Sequence, residues 1–186
     1  MGGKERLNYT KIRRLDHSDV PLILEMLDSC NPFKYAKKDT QVSLNSFLIK
    51  GSFIPGVFVK EELAGYAVTS NLMGESAKTT FHNYNVFTER EVWGNVGILD
   101  NCVIRDKYRG RGYQQELLKI REAILWDFGL KEICTSVHMK NTYSINNLIK
   151  AGYKHIGQHI IQKDWMFFRK VLDGPVSFED SSCIVL

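Results

Sequence analysis

Two apolar periods alternate along this chain, one suited to strands and one to helices, and their order predicts a mixed α/β fold. Residues 98–104 form an apolar, strand-like run. Residues 113–128 instead carry Leu117, Ile120, Ile124 and Phe128 at helical spacing, with Gln115, Lys119, Arg121 and Asp127 between them. That is the pattern of a one-faced helix packed on a sheet and stopped by Gly129. Upstream, Ile12 opens a first strand. Ser18 is expected to cap a helix burying Leu22, Leu24, Met26 and Leu27 or near neighbours. Asp39 opens a second helix with Val42, Leu44, Phe47 and Leu48, and Pro55-Gly56 turns into a hairpin of residues 57–60 and 63–68 around Glu61-Glu62. Downstream come a strand over residues 133–138, a short helix ending at Ala151-Gly152-Tyr153, and two closing strands within residues 156–172, split near Gln162-Lys163-Asp164. Residues 73–93 break both periods and carry Phe81, Tyr84, Phe87 and Trp93, a composition that suits an edge hairpin with core aromatics.

Composition narrows the class without naming a function. A chain of 186 residues, 44% hydrophobic and 25% charged, fits one globular domain with a substantial core. The net charge of +4 is compatible with an anionic ligand but too small and scattered for a nucleic-acid surface. Four dispersed cysteines (Cys30, Cys102, Cys134, Cys183) lack a Cys-x-x-Cys pair and read as reduced thiols of a cytoplasmic protein, with no metal site. His155 and His159 share helical ligand spacing but fall on a strand, which separates them. The segment beginning at Met1 shows no apolar signal region, and Arg6 stands where a myristoylation motif wants Ser or Thr.

The densest chemistry lies between the strand at 98–104 and the helix at 113–128. Arg105-Asp106-Lys107-Tyr108-Arg109-Gly110-Arg111-Gly112 places four cations and two glycines within eight residues. Strand, glycine turn and helix start can hold phosphate, because glycine lets backbone amides converge and the helix adds partial positive charge. A P-loop is excluded by spacing, and a dinucleotide fingerprint fails at Gln115, so an ordinary basic turn is the competing reading.

What remains resembles the Arg/Gln-x-x-Gly-x-Gly/Ala signature of the GNAT superfamily of N-acetyltransferases, with Arg109 and Gly112 in place and Gln114 at the last position. The opening at 12–20, the hairpin at 57–68, and Asn141-Thr142-Tyr143-Ser144 leading to Ala151-Gly152-Tyr153 are similar to the family's segments in order and spacing over about residues 10 to 172. The resemblance implies a single domain over residues 1–172, α/β with a mixed, mostly antiparallel sheet flanked by helices. It also implies acetyl-CoA as cofactor and an amine acceptor, small molecule or protein. In the family, the region equivalent to 73–93 often borders the acceptor site.

By the same resemblance, backbone groups of Cys102, Val103 and Ile104 pair with the pantetheine arm, and an N–H there points at the thioester carbonyl. The turn of Arg109, Gly110, Arg111, Gly112, Tyr113 and Gln114 takes the pyrophosphate, Asn141 holds the far side of the arm, and Ser144 assists. Asp100 is the preferred general base, sharing strand parity with Cys102 and Ile104, with His138 as the alternative. Cys134 as a nucleophile is weaker, since direct transfer needs no covalent intermediate. The family's frequent acidic tyrosine falls at Leu148, with Tyr143 as a substitute. Deprotonating an alkylamine of pKa near 10.4 costs roughly 4.6 kcal/mol at pH 7, whereas expelling a thiolate of pKa near 8.5 costs about 2. The base is the more demanding requirement. A non-catalytic coenzyme-binding or membrane-targeted module on the same fold is the alternative, kept open by Gln114 and Leu148.

From residue 173 the composition turns acidic, and the tail at 173–186 ends Cys183-Ile184-Val185-Leu186, a C-a-a-X pattern. Prenylation of Cys183 in a eukaryotic cytosol would bring the protein to a membrane surface, although the preceding acidic stretch lacks the usual polybasic support.

Overall fold

The computed structural model describes residues 10–30, 35, 37–72, 83 and 96–175. Phe81, Tyr84, Phe87 and Trp93, and the tail beyond 175 with Cys183, lie outside the described residues. Strand β1 (Thr10–Arg14) leads through a 3-10 turn (His17–Asp19) into helix α1 (Val20–Asp28). The cap is Asp16 rather than Ser18. Asp16 accepts from the Ser18 amide while Asp19 accepts from the Asp16 amide, so Ser18 donates the very group that needs capping. Because α1 begins only at Val20, its inner stripe is Val20, Ile23, Met26 and Leu27, and Leu22 and Leu24 are half-buried.

Helix α2 (Gln41–Ile49) is capped by Thr40, reciprocally with Ser43, one residue after the expected Asp39. Asp39 is instead buried, and Leu44 alone of the α2 residues is fully inside, leaving Val42 exposed. Strands β2 (Pro55–Val59) and β3 (Glu62–Leu72) form the expected hairpin. Then follow β4 (Val96–Ile104), α3 (Tyr113–Asp127), β5 (Glu132–His138), α4 (Thr142–Lys150), β6 (Lys154–Gln158) and β7 (Trp165–Val171). Phe128 is the exposed C-cap of α3 rather than part of its buried face, and Gly129 stops the helix at φ +77°.

The seven strands form one sheet in the order β1-β2-β3-β4-β5-β7-β6, antiparallel everywhere except between β4 and β5. Helices α1 and α2 cover one face through a core around Leu15, Ile23, Leu44 and Tyr66. Helices α3 and α4 cover the other, through Leu117 and Ile120 on one side and Leu118, Ile133 and Leu148 on the other. No helix among the described residues is long and apolar enough to cross a membrane.

Two irregularities position the site. The parallel β4–β5 ladder runs from Val96 opposite Glu132 to Leu99 opposite Thr135, where the Thr135 hydroxyl donates to the Leu99 carbonyl at 2.8 Å, and stops. Beyond it β4 continues to Ile104 against β3, and β5 continues to His138 against β7, so the two strands part. The second irregularity is a bulge in β4. Ala67 faces Cys102 and Thr69 faces Leu99, so Asp100 and Asn101 together stand opposite Val68.

Candidate active site

The turn before α3 has the geometry of an anion cradle. Gly110 and Gly112 sit at φ +75° and +90°, and a Cβ placed on either would meet nothing within 4 Å. Positive φ excludes most side chains on strain alone, and the open space leaves the inner side of the turn accessible. Residues 109–112 are exposed. Gly112 is the N-cap of α3 and has no side chain to cap it; the Gln115 amide turns back on the Gly112 carbonyl at 2.9 Å, whereas the Tyr113 and Gln114 amides have no backbone partner among the described residues and face outward with the helix's positive end.

The four cations are not equivalent. Arg105 bonds the Leu63 carbonyl at 2.9 Å and Ser29 at 2.8 Å; Lys107 pairs with Glu62 at 2.6 Å. Arg109 is turned back on Asp106 at 2.7 Å and on the Ile104 carbonyl at 3.3 Å, away from the cradle. Arg111 lies over the Tyr108 ring at 5.6 Å and, among the described residues, has no carboxylate partner. It is the cation available to a phosphate.

A cleft opens where β4 and β5 part, bordered by Asp100, Cys102, Gln114, Arg121, Asn141 and Leu148 among others. On its β5 side the β4 backbone from 100 to 104 has no strand partner among the described residues, so the groups of Cys102, Val103 and Ile104 on that side form an edge to which an extended chain can add. The Gln114 side chain donates to Ser144 Oγ at 3.3 Å and accepts from Asn147 at 2.7 Å. The departure from Gly or Ala is thereby accommodated: the side chain ties α3 to α4, and only its amide faces the turn. Asn141 uses its Oδ1 to cap α4 at the Ser144 amide, which leaves its amide nitrogen for a ligand.

Asp100 does not share a face with Cys102 and Ile104, because the bulge interrupts the alternation. Leu99 packs with Leu118 and Leu125 of α3, and Cys102 with the α3 residues around Leu117. Asp100 instead accepts from Ser70, on the same side of β3 as Val68 and the α1–α2 core. It is half-buried and borders the cleft. Burial raises its pKa above the ordinary aspartate value; the Ser70 hydroxyl and Arg121 pull it down, and Asp39 pushes it up.

The other candidates separate clearly. His138 lies between the rings of Tyr35 (5.1 Å) and Trp165 (5.7 Å) and accepts from the Lys140 amide at 3.2 Å, so it organises the end of β5. The Cys134 thiol is buried, and desolvation pushes its pKa up to about 12, far from a thiolate nucleophile. Leu148 is buried beside the cleft, and Tyr143 is 84% exposed, so neither supplies an enclosed acid. Among the described residues no cluster suited to a metal ion occurs.

Two features escaped the sequence reading. Arg121 and Glu122, adjacent on α3, are both buried at 3% exposure. The buried Tyr66 hydroxyl donates to Asp39 at 2.6 Å, and Asn101 donates to the same oxygen at 3.0 Å. Neither has a local signal, because each depends on which elements cover a polar position.

Comparison with known proteins agrees with this geometry. The fold matches an acetyltransferase of the GNAT family from Streptococcus agalactiae with a TM-score of 0.68 at 15% identity, covering 89% of this chain and 96% of that one. It matches the PaiA N-acetyltransferase of Thermoplasma acidophilum, solved in complex with coenzyme A, with a TM-score of 0.66 at 15% identity over 87% and 98%. The ribosomal-protein-S18-alanine N-acetyltransferase of Escherichia coli matches with a TM-score of 0.62 at 14% identity over 93% and 97%. No curated protein matches the sequence. The model of the acetyltransferase (GNAT) family matches residues 20–153. With that match spanning both strands of the cleft, the turn and all four helices, this chain belongs to the GNAT family of acetyltransferases, enzymes that use acetyl-CoA.

Proposed function

We propose that this protein transfers the acetyl group of acetyl-CoA to a primary amine by direct attack, with Asp100 accepting the proton the amine must shed. One observation carries the reading: β4 and β5 part beyond Leu99 and Thr135, beside an exposed turn from which the Tyr113 and Gln114 amides emerge with no backbone partner among the described residues. The bound coenzyme supplies an acetyl group activated as a thioester. The residues that would hold it are the β4 edge at Cys102, Val103 and Ile104, the amides from Gly110 to Gln114, the Arg111 guanidinium and the Asn141 amide.

Asp100 suits a general base in position and in pKa. Burial raises its pKa above the ordinary aspartate value, and a base of higher pKa binds the proton more firmly. The Ser70 hydroxyl fixes one of its oxygens, and the bulge sets it at the point where the strands separate. With Leu148 at the tyrosine position, no side-chain acid is needed there, since a thiolate of pKa near 8.5 costs only about 2 kcal/mol to expel at pH 7.

The test is thiol release from acetyl-CoA over a panel of peptide α-amines, lysine side chains, polyamines and small amines. Peptide α-amines belong on it because one structural neighbour is a ribosomal-protein-alanine N-acetyltransferase. At least one class is expected to accelerate release in wild type and not in Asp100→Asn. Release that no amine accelerates, or an Asp100→Asn variant with undiminished turnover and an unshifted pH profile, would contradict the reading.

A further inference from the structure

Arg121 is a buried cation that makes no ion pair with a carboxylate among the described residues. It is 3% exposed, and its hydrogen bonds run to carbonyl groups: Nε to Leu117 at 3.3 Å within α3, and Nη1 to Val68 at 3.5 Å, opposite the β4 bulge. Glu122, equally buried, shows the contrast, pairing with Lys170 at 2.8 Å. A guanidinium withdrawn from water without a directly bonded counter-ion is costly, with Asp100 near enough only to share its field, and a further anion that reaches it offsets that cost.

The position of Arg121 says which anion can do so. It lies about 12 Å along α3 from Tyr113, at about 1.5 Å per residue. Asp100 lies about 13 Å back along β4 from Ile104, at about 3.3 Å per residue. Since α3 packs on β4, Arg121 stands level with Asp100 and Cys102, where the strands part, and it borders the same cleft. Two anions form at this level during acyl transfer, the carbonyl oxygen, which an amide of the β4 edge can take, and the departing sulfur, which no amide serves.

We propose that Arg121 is a catalytic cation that stabilises the coenzyme's departing thiolate, a role Leu148 cannot fill. The inference rests on the acyl-transfer reading above. In the step, the amine lone pair forms the C–N bond, the C–S bond breaks with its electron pair passing to sulfur, and the amine proton passes to Asp100. Arg121 keeps its proton and contributes its charge. The charged and titratable groups facing it are Asp100, with Asp39 behind it, and Cys102 on the sheet side, and Glu122 and Tyr153 on the other. Glu122 is offset by Lys170. The same charge already favours the ionised forms of Asp100 and Cys102.

The probe is free coenzyme A, whose thiolate is followed by ultraviolet absorbance during a pH titration of its complexes with wild type, Arg121→Gln and Arg121→Lys. In wild type the bound thiol is expected to titrate about 1–3 units below the value measured for free coenzyme A in the same buffer. It returns close to that value in Arg121→Gln and stays depressed in Arg121→Lys. Equal midpoints in wild type and Arg121→Gln overturn the proposal; failure of wild type to bind coenzyme A at all instead overturns the acyl-transfer reading. Should the glutamine variant not fold, wild type alone decides. Its preference for coenzyme A over desulfo-coenzyme A must grow as pH rises from about 6 to about 8.5, and a preference independent of pH overturns the inference.

Discussion

The Asn101 amide donates to Asp39 at 3.0 Å, at the carboxylate oxygen that also takes the Tyr66 hydroxyl at 2.6 Å. A second bond from the same Asn101 nitrogen, to the Lys37 carbonyl at 3.0 Å, ties the β4 bulge to the segment entering α2. Asp100 is the neighbouring bulge residue, so its direction depends on this knot. Tyr66→Phe removes one donor from a buried carboxylate and is expected to cost about 1–3 kcal/mol of stability, read from urea unfolding. Asn101→Ala is expected to lower kcat/KM with a smaller loss of stability, because Tyr66 still holds Asp39.

Asp100→Asn separates function from stability. The folded-state pKa of Asp100 is raised, so the native state binds its proton more tightly than the unfolded chain, and its contribution to stability falls as pH rises from the unfolded value through the folded one. At neutral pH the asparagine variant is therefore expected to be at least as stable as wild type, while kcat falls about 10²–10⁴-fold. The acid limb of the wild-type pH–rate profile should lie above the ordinary aspartate range. Thermal melts and a pH–rate profile of both proteins check this.

Arg111→Ala is expected to weaken coenzyme A binding several-fold and to reduce the salt dependence of affinity, with kcat at saturation nearly unchanged. Arg105→Ala should instead act mainly on stability, because Arg105 ties β4 to Leu63 and Ser29. Gly112→Ala imposes a left-handed conformation on a residue with a Cβ, costing about 1–2 kcal/mol at the cradle itself. Calorimetry at two salt concentrations, with melting curves, distinguishes the three.

The Arg13–Asp19 pair predicts an acid-sensitive contribution at the far end of the sheet. Two hydrogen bonds, at 2.6 and 2.8 Å, hold Asp19 against Arg13, and that bonding lowers the Asp19 pKa against the opposing effect of burial. A depressed carboxylate stabilises the fold above its unfolded pKa of about 3.9, and the contribution is lost as pH falls through the lower folded value. Asp19→Asn should thus be less stable than wild type at pH 7, with the gap closing below about pH 4. Urea midpoints across pH measure it.

The β4-turn-α3 unit was readable from the chain because its determinants are local: an apolar run, two glycines and a helical period. The separation of β4 from β5 was not, since residues 100–104 carry no mark of which strand deserts them. Strand parity misplaced Asp100 because a bulge is a property of two strands, and the run from Ile98 to Ile104 records only one. Arg121 and Glu122 sit at positions the helical period assigns to solvent, yet α3 is covered on a second side by α4 and β7. Phe128 erred in the opposite direction: its spacing fits the buried face, but the helix ends one residue earlier.

The amides between Gly110 and Gln114 are the proposed holders of the coenzyme's diphosphate. Amide nitrogen–proton NMR spectra of the labelled protein, recorded while coenzyme A is titrated in, report on those groups directly. Resonances of residues 110–114 and 102–104 are expected to undergo the largest shifts, with the turn amides moving downfield as they take up phosphate oxygens. Saturable shifts elsewhere, with residues 110–114 unmoved, would contradict it.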